Sequence, residues 1–321
     1  MARWAAIALV VLGLGLVAAP FAFDMFDRAP KGADMLEDFR PFMTSRKIDG
    51  FQTDIDQIDA AVTETDGPVR TRLDSGQATD AAQFATFDSF AHDWPKIHGD
   101  FDDLLTRVHR SVGGYEAVAA LPSFDLFPWF FVGPGVLIAA VGAVGLVRPS
   151  LGATRAAAVV LGIALVLAPV GFQMFTRAPK GGRMMADFES IMTTDRVHGI
   201  QGYFGSMAVG EGAIRTSLVP ALEAQGLSRA DVDREFPAVG RLERRWVTII
   251  NDMTPMLGAM SDNVGAYQGI AALPPFGLFP WFFVAPGVLA VAFAAAGRPR
   301  SLAPLVGADI QLPQPTNPQE P

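Results

Sequence analysis

Apolar residues in this chain fall into two registers. Four uncharged stretches, Trp4–Phe23, Phe127–Val147, Ala156–Phe175 and Phe279–Ala296, run for 18 to 21 residues each. That is close to the roughly 20 residues a helix needs to cross a hydrocarbon core. Between them the pattern turns amphipathic. Ile48, Phe51, Ile55, Ile58 and Val62 step by three and four, a single helical face preceded by Thr44 or Ser45 as N-cap. Phe84, Phe87, Ala91, Trp94, Ile97, Phe101, Leu104, Val108, Val112 and Tyr115 hold the same spacing over 32 residues. The later series Phe236, Val239, Trp246, Ile249, Met253, Met256, Met260, Val264 and Tyr267 gives a second long seam. Thr65-Asp66-Gly67-Pro68 predicts a turn or break, and Pro95 and Pro255 predict kinks inside the long helices.

These elements occur twice. Phe23–Gln52 and Phe172–Gln201 share 15 of 30 residues at an offset of 149, and Val112–Val136 and Val264–Val288 share 18 of 25. The expected fold is therefore an all-α integral membrane protein, a tandem duplication of membrane helix, helical-bundle domain and membrane helix. Residues 1–149 form one unit, with spans 4–23 and 127–147 around a domain at 24–126. Residues 150–300 form the other, with spans 156–175 and 279–296 around 176–278. With two crossings per unit both copies share an orientation, so the expected symmetry is a parallel pseudo-two-fold along the membrane normal. Residues 301–321, rich in Pro and Gln, read as a disordered cytoplasmic tail. A cleavable signal peptide at Trp4–Phe23 is disfavoured because Ala156–Phe175 holds the same place internally.

Composition adds a membrane class but little chemistry. Half the residues are hydrophobic and 18% are charged, too apolar on average for an ordinary soluble domain. There is no cysteine, so disulfides and thiolate metal sites are excluded. Residues 24–126 carry 20 acids against 10 Lys and Arg, whereas 176–278 carry 11 against 10. Neither balance gives the basic stripe of a nucleic-acid binder. Arg148 and Arg155 in the short connector, with Arg3, Arg298 and Arg300, favour cytoplasmic termini and extracytoplasmic domains in a bacterial plasma membrane. No charged residue or histidine interrupts an apolar stretch, which disfavours an ion-coupled carrier.

Four candidate sites follow. In the twice-occurring LFPWFF, Trp129 and Trp281 suit the headgroup belt. In the twice-occurring RAPKG, Arg28, Lys31, Arg177 and Lys180 suit the membrane interface, with Arg28–Asp38 and Arg177–Asp187 as candidate ion pairs. His92, His98 and Asp102 are the candidates for a metal, since His98 and Asp102 share a helical face, but the second copy has no histidine there and no metal or other cofactor is expected. An apolar cavity inside the bundle would be lined by Phe84, Phe87, Trp94, Phe101, Trp246, Met253 and Met256. No phosphate-binding glycine loop, HExxH or GxSxG is present. The expectation is a non-enzymatic interaction or scaffold module of the cell envelope whose partners are the bilayer and either an envelope protein or a second copy of the chain. A ligand- or lipid-binding module is the alternative, and a metal-dependent enzyme the weaker one.

Overall fold

The computed structural model describes residues 1–76 and 81–297. The 301–321 tail expected to be disordered lies outside the described residues. In chain order the helices are α1 (Arg3–Ala22), α2 (Met25–Phe39), α3 (Ser45–Glu64), α4 (Arg70–Ser75), α5 (Ala81–Ala119), α6 (Phe127–Val147) and α7 (Gly152–Gly171). They continue as α8 (Met174–Glu189), α9 (Thr194–Ala213), α10 (Val219–Ala224), α11 (Arg229–Glu235), α12 (Pro237–Ala271) and α13 (Phe279–Ala296). Among the described residues there is no strand.

Helices α1, α6, α7 and α13 are long and apolar enough to cross a membrane. Their outward faces are apolar too, with Val11, Phe21, Val160 and Leu167 all more than half exposed. A helix that is apolar all round is stable only when something other than water covers it. Without a hydrophobic drive between such helices, close backbone packing must hold them. A Cβ on Gly13 would stand 2.5 Å from the Gly135 carbonyl oxygen, and one on Gly142 2.8 Å from that of Ala6, so α1 and α6 pack as a hairpin through their glycines. Gly162 and Gly287 do the same for α7 and α13, each Cβ meeting the other's carbonyl oxygen at 2.6 Å.

Two apolar helices end on a sharp reversal. Asp24 and Gln173, at matching positions, adopt left-handed backbone with φ of 55°. This is strained for residues bearing a Cβ. It redirects the chain so that α2 and α8 start as new helices. The third apolar helix is thus shifted from the expected 156–175: it begins at Gly152, carries Arg155 within it, and stops at Gly171. Arg155 is tolerated because its Nε donates to the Ala294 carbonyl, 3.2 Å away at the end of α13.

The polar segments are interlocked. Helix α12 of the second segment packs on α2 and α3 of the first, and α5 of the first packs on α8 and α9 of the second. Contacts of α3 with α5 and of α9 with α12 close a ring of four around the common core. Of the two candidate caps Thr44 is the one used, and Thr193 caps α9 in the same way, each accepting from a backbone N–H at 3.3 Å. The predicted break at 65–68 does not occur. Thr65–Val69 instead forms a widened π turn, and Ile214–Leu218 forms another without any Gly or Pro. The long helices continue through Pro95 and Pro255. From Arg215 to Phe236 the second segment is seven residues longer than the first is from Arg70 to Phe84, and this stretch holds α11, opened by a Ser228–Asp231 capping box.

Candidate functional site: an apolar cleft between two grooves

Where the polar bundle meets the apolar helices, short α2 and α8 turn the same face toward each other. Their periodic Met and Phe residues, with one tyrosine from each long helix, enclose a narrow cleft. Met35, Leu36, Phe39, Met43 and Tyr115 line one half; Met184, Met185, Phe188, Met192 and Tyr267 line the other. The ten residues are five sequence-matched pairs, four of them identical. Phe39 and Phe188 meet across the cleft with ring centroids 6.3 Å apart. Below them Phe124 and Phe276, Phe127 and Phe279, and Phe131 and Phe283 meet at 5.8, 5.5 and 5.1 Å. Each ring touches its own counterpart, making an aromatic column beneath the cleft.

The two tyrosines shape its walls. Tyr115 Oη donates to the Leu36 carbonyl at 2.7 Å, and Tyr267 Oη to that of Met185 at 2.6 Å. These acceptors lie near the C-terminal turns of α2 and α8, where carbonyls lack helical partners. Burial, and secondarily the charge of Glu189, push the Tyr267 phenol up to about 12. Burial also raises Tyr115, against the pull of Arg40. Both phenols stay neutral donors at any physiological pH, so the lining bears no charge.

A groove opens on either side of the cleft. The first, about 200 Å³, or about 550 Å³ including its open mouth, runs between α2 and the end of α5 over Leu121, Pro122 and Phe124. The second, about 1190 Å³ including its open mouth, runs between α8 and the end of α12 over Leu273, Pro275 and Phe276. Leu36 and Tyr115 are shared between cleft and first groove, Met185 and Tyr267 between cleft and second. Cleft and grooves thus lie in a row across the molecule at the upper boundary of the apolar helices, with Leu36, Tyr115, Met185 and Tyr267 standing between them; the cleft itself holds only about 30 Å³, so the row is a closed passage, with charged Glu37, Arg40, Arg183 and Glu189 in the groove linings.

The sequence-predicted residues fall around this passage rather than in it. Phe84, Phe87, Trp94, Phe101, Met253 and Met256 are buried in the four-helix core, with Trp246 half-buried against it. Phe87, Phe90 and Trp94 stack in succession, and Phe101 packs on Tyr203 and Phe204 from α9. The neighbouring segment thus fills the space that an isolated bundle would leave. Trp129 and Trp281 are 60% and 56% exposed, each in edge contact with a phenylalanine, Phe26 or Phe175. His92 and Asp102 are exposed and His98 lies against Trp94. Among the described residues no three of His, Asp and Glu gather to hold an ion.

The pairs Arg28–Asp38 and Arg177–Asp187 do not form. Ten residues along one straight helix separate the partners by about 15 Å. Arg28 instead reaches the Gly269 carbonyl at 3.4 Å and Arg177 that of Ala120 at 2.7 Å, each at the far segment's long helix end. Asp38 accepts from Asn263 and Asp187 pairs with Arg110, again across segments. Lys31 pairs with Asp27 at 2.6 Å, whereas Lys180 makes no ion pair among the described residues.

Higher in the bundle, reciprocal pairs tie the segments together. Lys47 meets Asp252 at 3.0 Å, and at the matching positions Arg196 meets Asp100 at 3.0 Å. Asp54, its side chain 4% exposed, is held by Arg245 at 2.9 Å. Burial raises the Asp54 carboxyl above its ordinary 3.8, a shift opposed by Arg245 and reinforced by Asp252. Asp100 is lowered: burial would raise it, but hydrogen bonds from Arg196 and Tyr203 outweigh that. Each of these carboxylates is thus paired with a cation from the other segment.

The chain matches no protein-family model, and no curated protein resembles it in sequence.

Proposed function

We propose that this chain is a non-enzymatic, multi-pass protein of a bacterial plasma membrane. Its duplicated bundle binds an amphiphile, a lipid or lipid-like ligand, in the passage at its foot. The observation that carries this reading is the uncharged Met and Phe cleft flanked on both sides by grooves that share its wall residues, at the level where the apolar helices begin. Methionine suits such a lining because its unbranched side chain reshapes around different apolar guests. A concave apolar surface with charge only at its mouths is what a ligand with an acyl chain and a polar head requires.

Duplication with a parallel pseudo-two-fold is part of the same reading. It is supported by five matched pairs in the cleft, by aromatic rings that touch their own counterparts, and by reciprocal ion pairs at matched positions. The envelope interaction role expected from the sequence attaches to the membrane-distal tips, where the two segments differ most. The shallow depression there, edged by Gly67, Thr71 and Glu235, selects no partner chemistry. The amphiphile reading is therefore placed first.

Its test is native mass spectrometry of the intact protein released in mild detergent. Leu36→Trp with Met185→Trp would fill the passage from both ends, because each residue lines a groove and the cleft. Wild type should retain phospholipid, and the double variant, with unchanged helical circular dichroism, should lose it. Equal retention by both would overturn the reading.

A further inference from the structure

Each groove is lined by apolar side chains with one acid and one cation, Glu37 and Arg40 in the first and Glu189 and Arg183 in the second, but the helix turns that lead to them differ in charge. In the first segment the helix turn entering from the membrane carries Asp24, Asp27 and Asp34 with Arg28 and Lys31, a net charge of −1 over residues 24–34. Those cations are closed on their own acids, Arg28 on Asp24 at 3.6 Å and Lys31 on Asp27 at 2.6 Å. The cation at the first groove, Arg40, is likewise closed on Glu37 at 2.7 Å. At the matching positions of the second segment the three acids are Gln173, Thr176 and Arg183. Residues 173–183 carry three cations and no acid, a net +3.

Of the three, Arg177 is engaged with backbone carbonyls. Lys180 and Arg183 are exposed and make no ion pair among the described residues. One helical turn apart on α8, they stand as neighbours. Arg183 lines the second groove directly. Gly182, beside it, lies 3.9 Å from the Phe276 side chain if given a Cβ, and Phe276 begins the run into α13. The nearest acids are accounted for. Asp187 is taken by Arg110 at 3.4 Å, and Glu189 lines the groove six residues farther along α8.

We propose that the second groove is an anionic phospholipid site, and that the first is not. The phosphate sits against Lys180 and Arg183 at the mouth, and an acyl chain follows Leu273, Phe276 and Ile270 inward to Tyr267 and Met185. Charge complementarity selects the occupant: two cations without partners at the membrane boundary favour a lipid with net negative charge, while the apolar floor requires a chain. The proposal rests on the amphiphile reading and adds the headgroup class and the choice of groove.

The intact protein is exchanged into nanodiscs of phosphatidylglycerol and phosphatidylcholine, and the lipids it retains are weighed by native mass spectrometry. Wild type should keep phosphatidylglycerol in preference. Each cation near a membrane surface contributes enough to change affinity about fivefold. Lys180→Gln with Arg183→Gln should lower phosphatidylglycerol retention by roughly 25-fold and leave phosphatidylcholine alone. Arg72→Gln, an exposed cation at the far tip, should change neither. Asp34→Arg should create a preference at the first groove and raise the number of anionic lipids retained. Equal retention of the two lipids by wild type, or an unchanged preference in the double variant, overturns the headgroup proposal and leaves amphiphile binding standing. Loss of all lipid from wild type overturns both.

Discussion

At the scale of single residues, Asp54 is a carboxylate that burial works against. Its carboxylate is nearly solvent-free on α3 and is neutralised by Arg245 from α12, which is itself 45% exposed. Burial raises the folded-state pKa above the unfolded value of 3.8, so folding favours the protonated acid. The ionised form costs stability at neutral pH. That cost is relieved as pH falls through the raised value and is constant again below 3.8. Asp100 acts oppositely, its lowered pKa giving stability at neutral pH that is lost as pH falls through it. Asp54→Asn should therefore raise the thermal midpoint at pH 7 more than at pH 4.5 and leave the acid-side loss due to Asp100. Arg245→Ala should lower it at pH 7 by an amount equivalent to about 1–3 kcal/mol, because a buried carboxylate loses its main partner. Thermal melts in detergent across pH 4 to 8 read both. Asp54 was visible in the sequence only as a polar residue beside an apolar seam; its burial follows from a helix 190 residues away in the chain.

At the scale of elements, much of the molecule was legible. The three-and-four spacing of apolar positions gave α3, α5 and α12, since burying one face of a helix demands that spacing wherever the helix packs. Thr44 was recognisable as a cap from its place before the seam. The π turns were not legible. A Gly-Pro pair reads as a turn or break, yet Ile214–Leu218 takes the same widened turn with neither residue inside it, so the pair is not required for the turn. The apolar hairpins depend on particular glycines rather than on glycine content. Gly13→Ala should loosen α1 from α6 and cost about 1–3 kcal/mol, because the new methyl meets backbone. Gly15→Ala in the same helix meets nothing within 4 Å and should be neutral or slightly stabilising. Thermal midpoints of the two variants, measured side by side, separate packing from propensity.

For the whole molecule, orientation is the property on which the proposed role of the foot depends, since it decides which leaflet would supply a lipid. Single cysteines at Ser75 and Ser150, both exposed in a cysteine-free chain, should label differently in intact cells. With extracytoplasmic bundles only Ser75→Cys reacts with an impermeant maleimide; labelling at Ser150→Cys alone would invert the molecule. Sequence by itself determined the four apolar helices, the amphipathic helices between them and the twofold recurrence of both, because length, period and identity are properties of the chain alone. Only the tertiary structure decided that the two polar segments interlock. The apolar seams of α5 and α12 say that each must be covered, and any matching apolar face satisfies them equally, so periodicity cannot name the partner. That choice moved the aromatic residues Phe84, Phe87, Trp94 and Phe101 from an expected cavity into the packed core, and it brought Met35, Phe39 and Tyr115 to their counterparts Met184, Phe188 and Tyr267. The passage between the segments exists because residues far apart in the chain meet there, which no local pattern encodes.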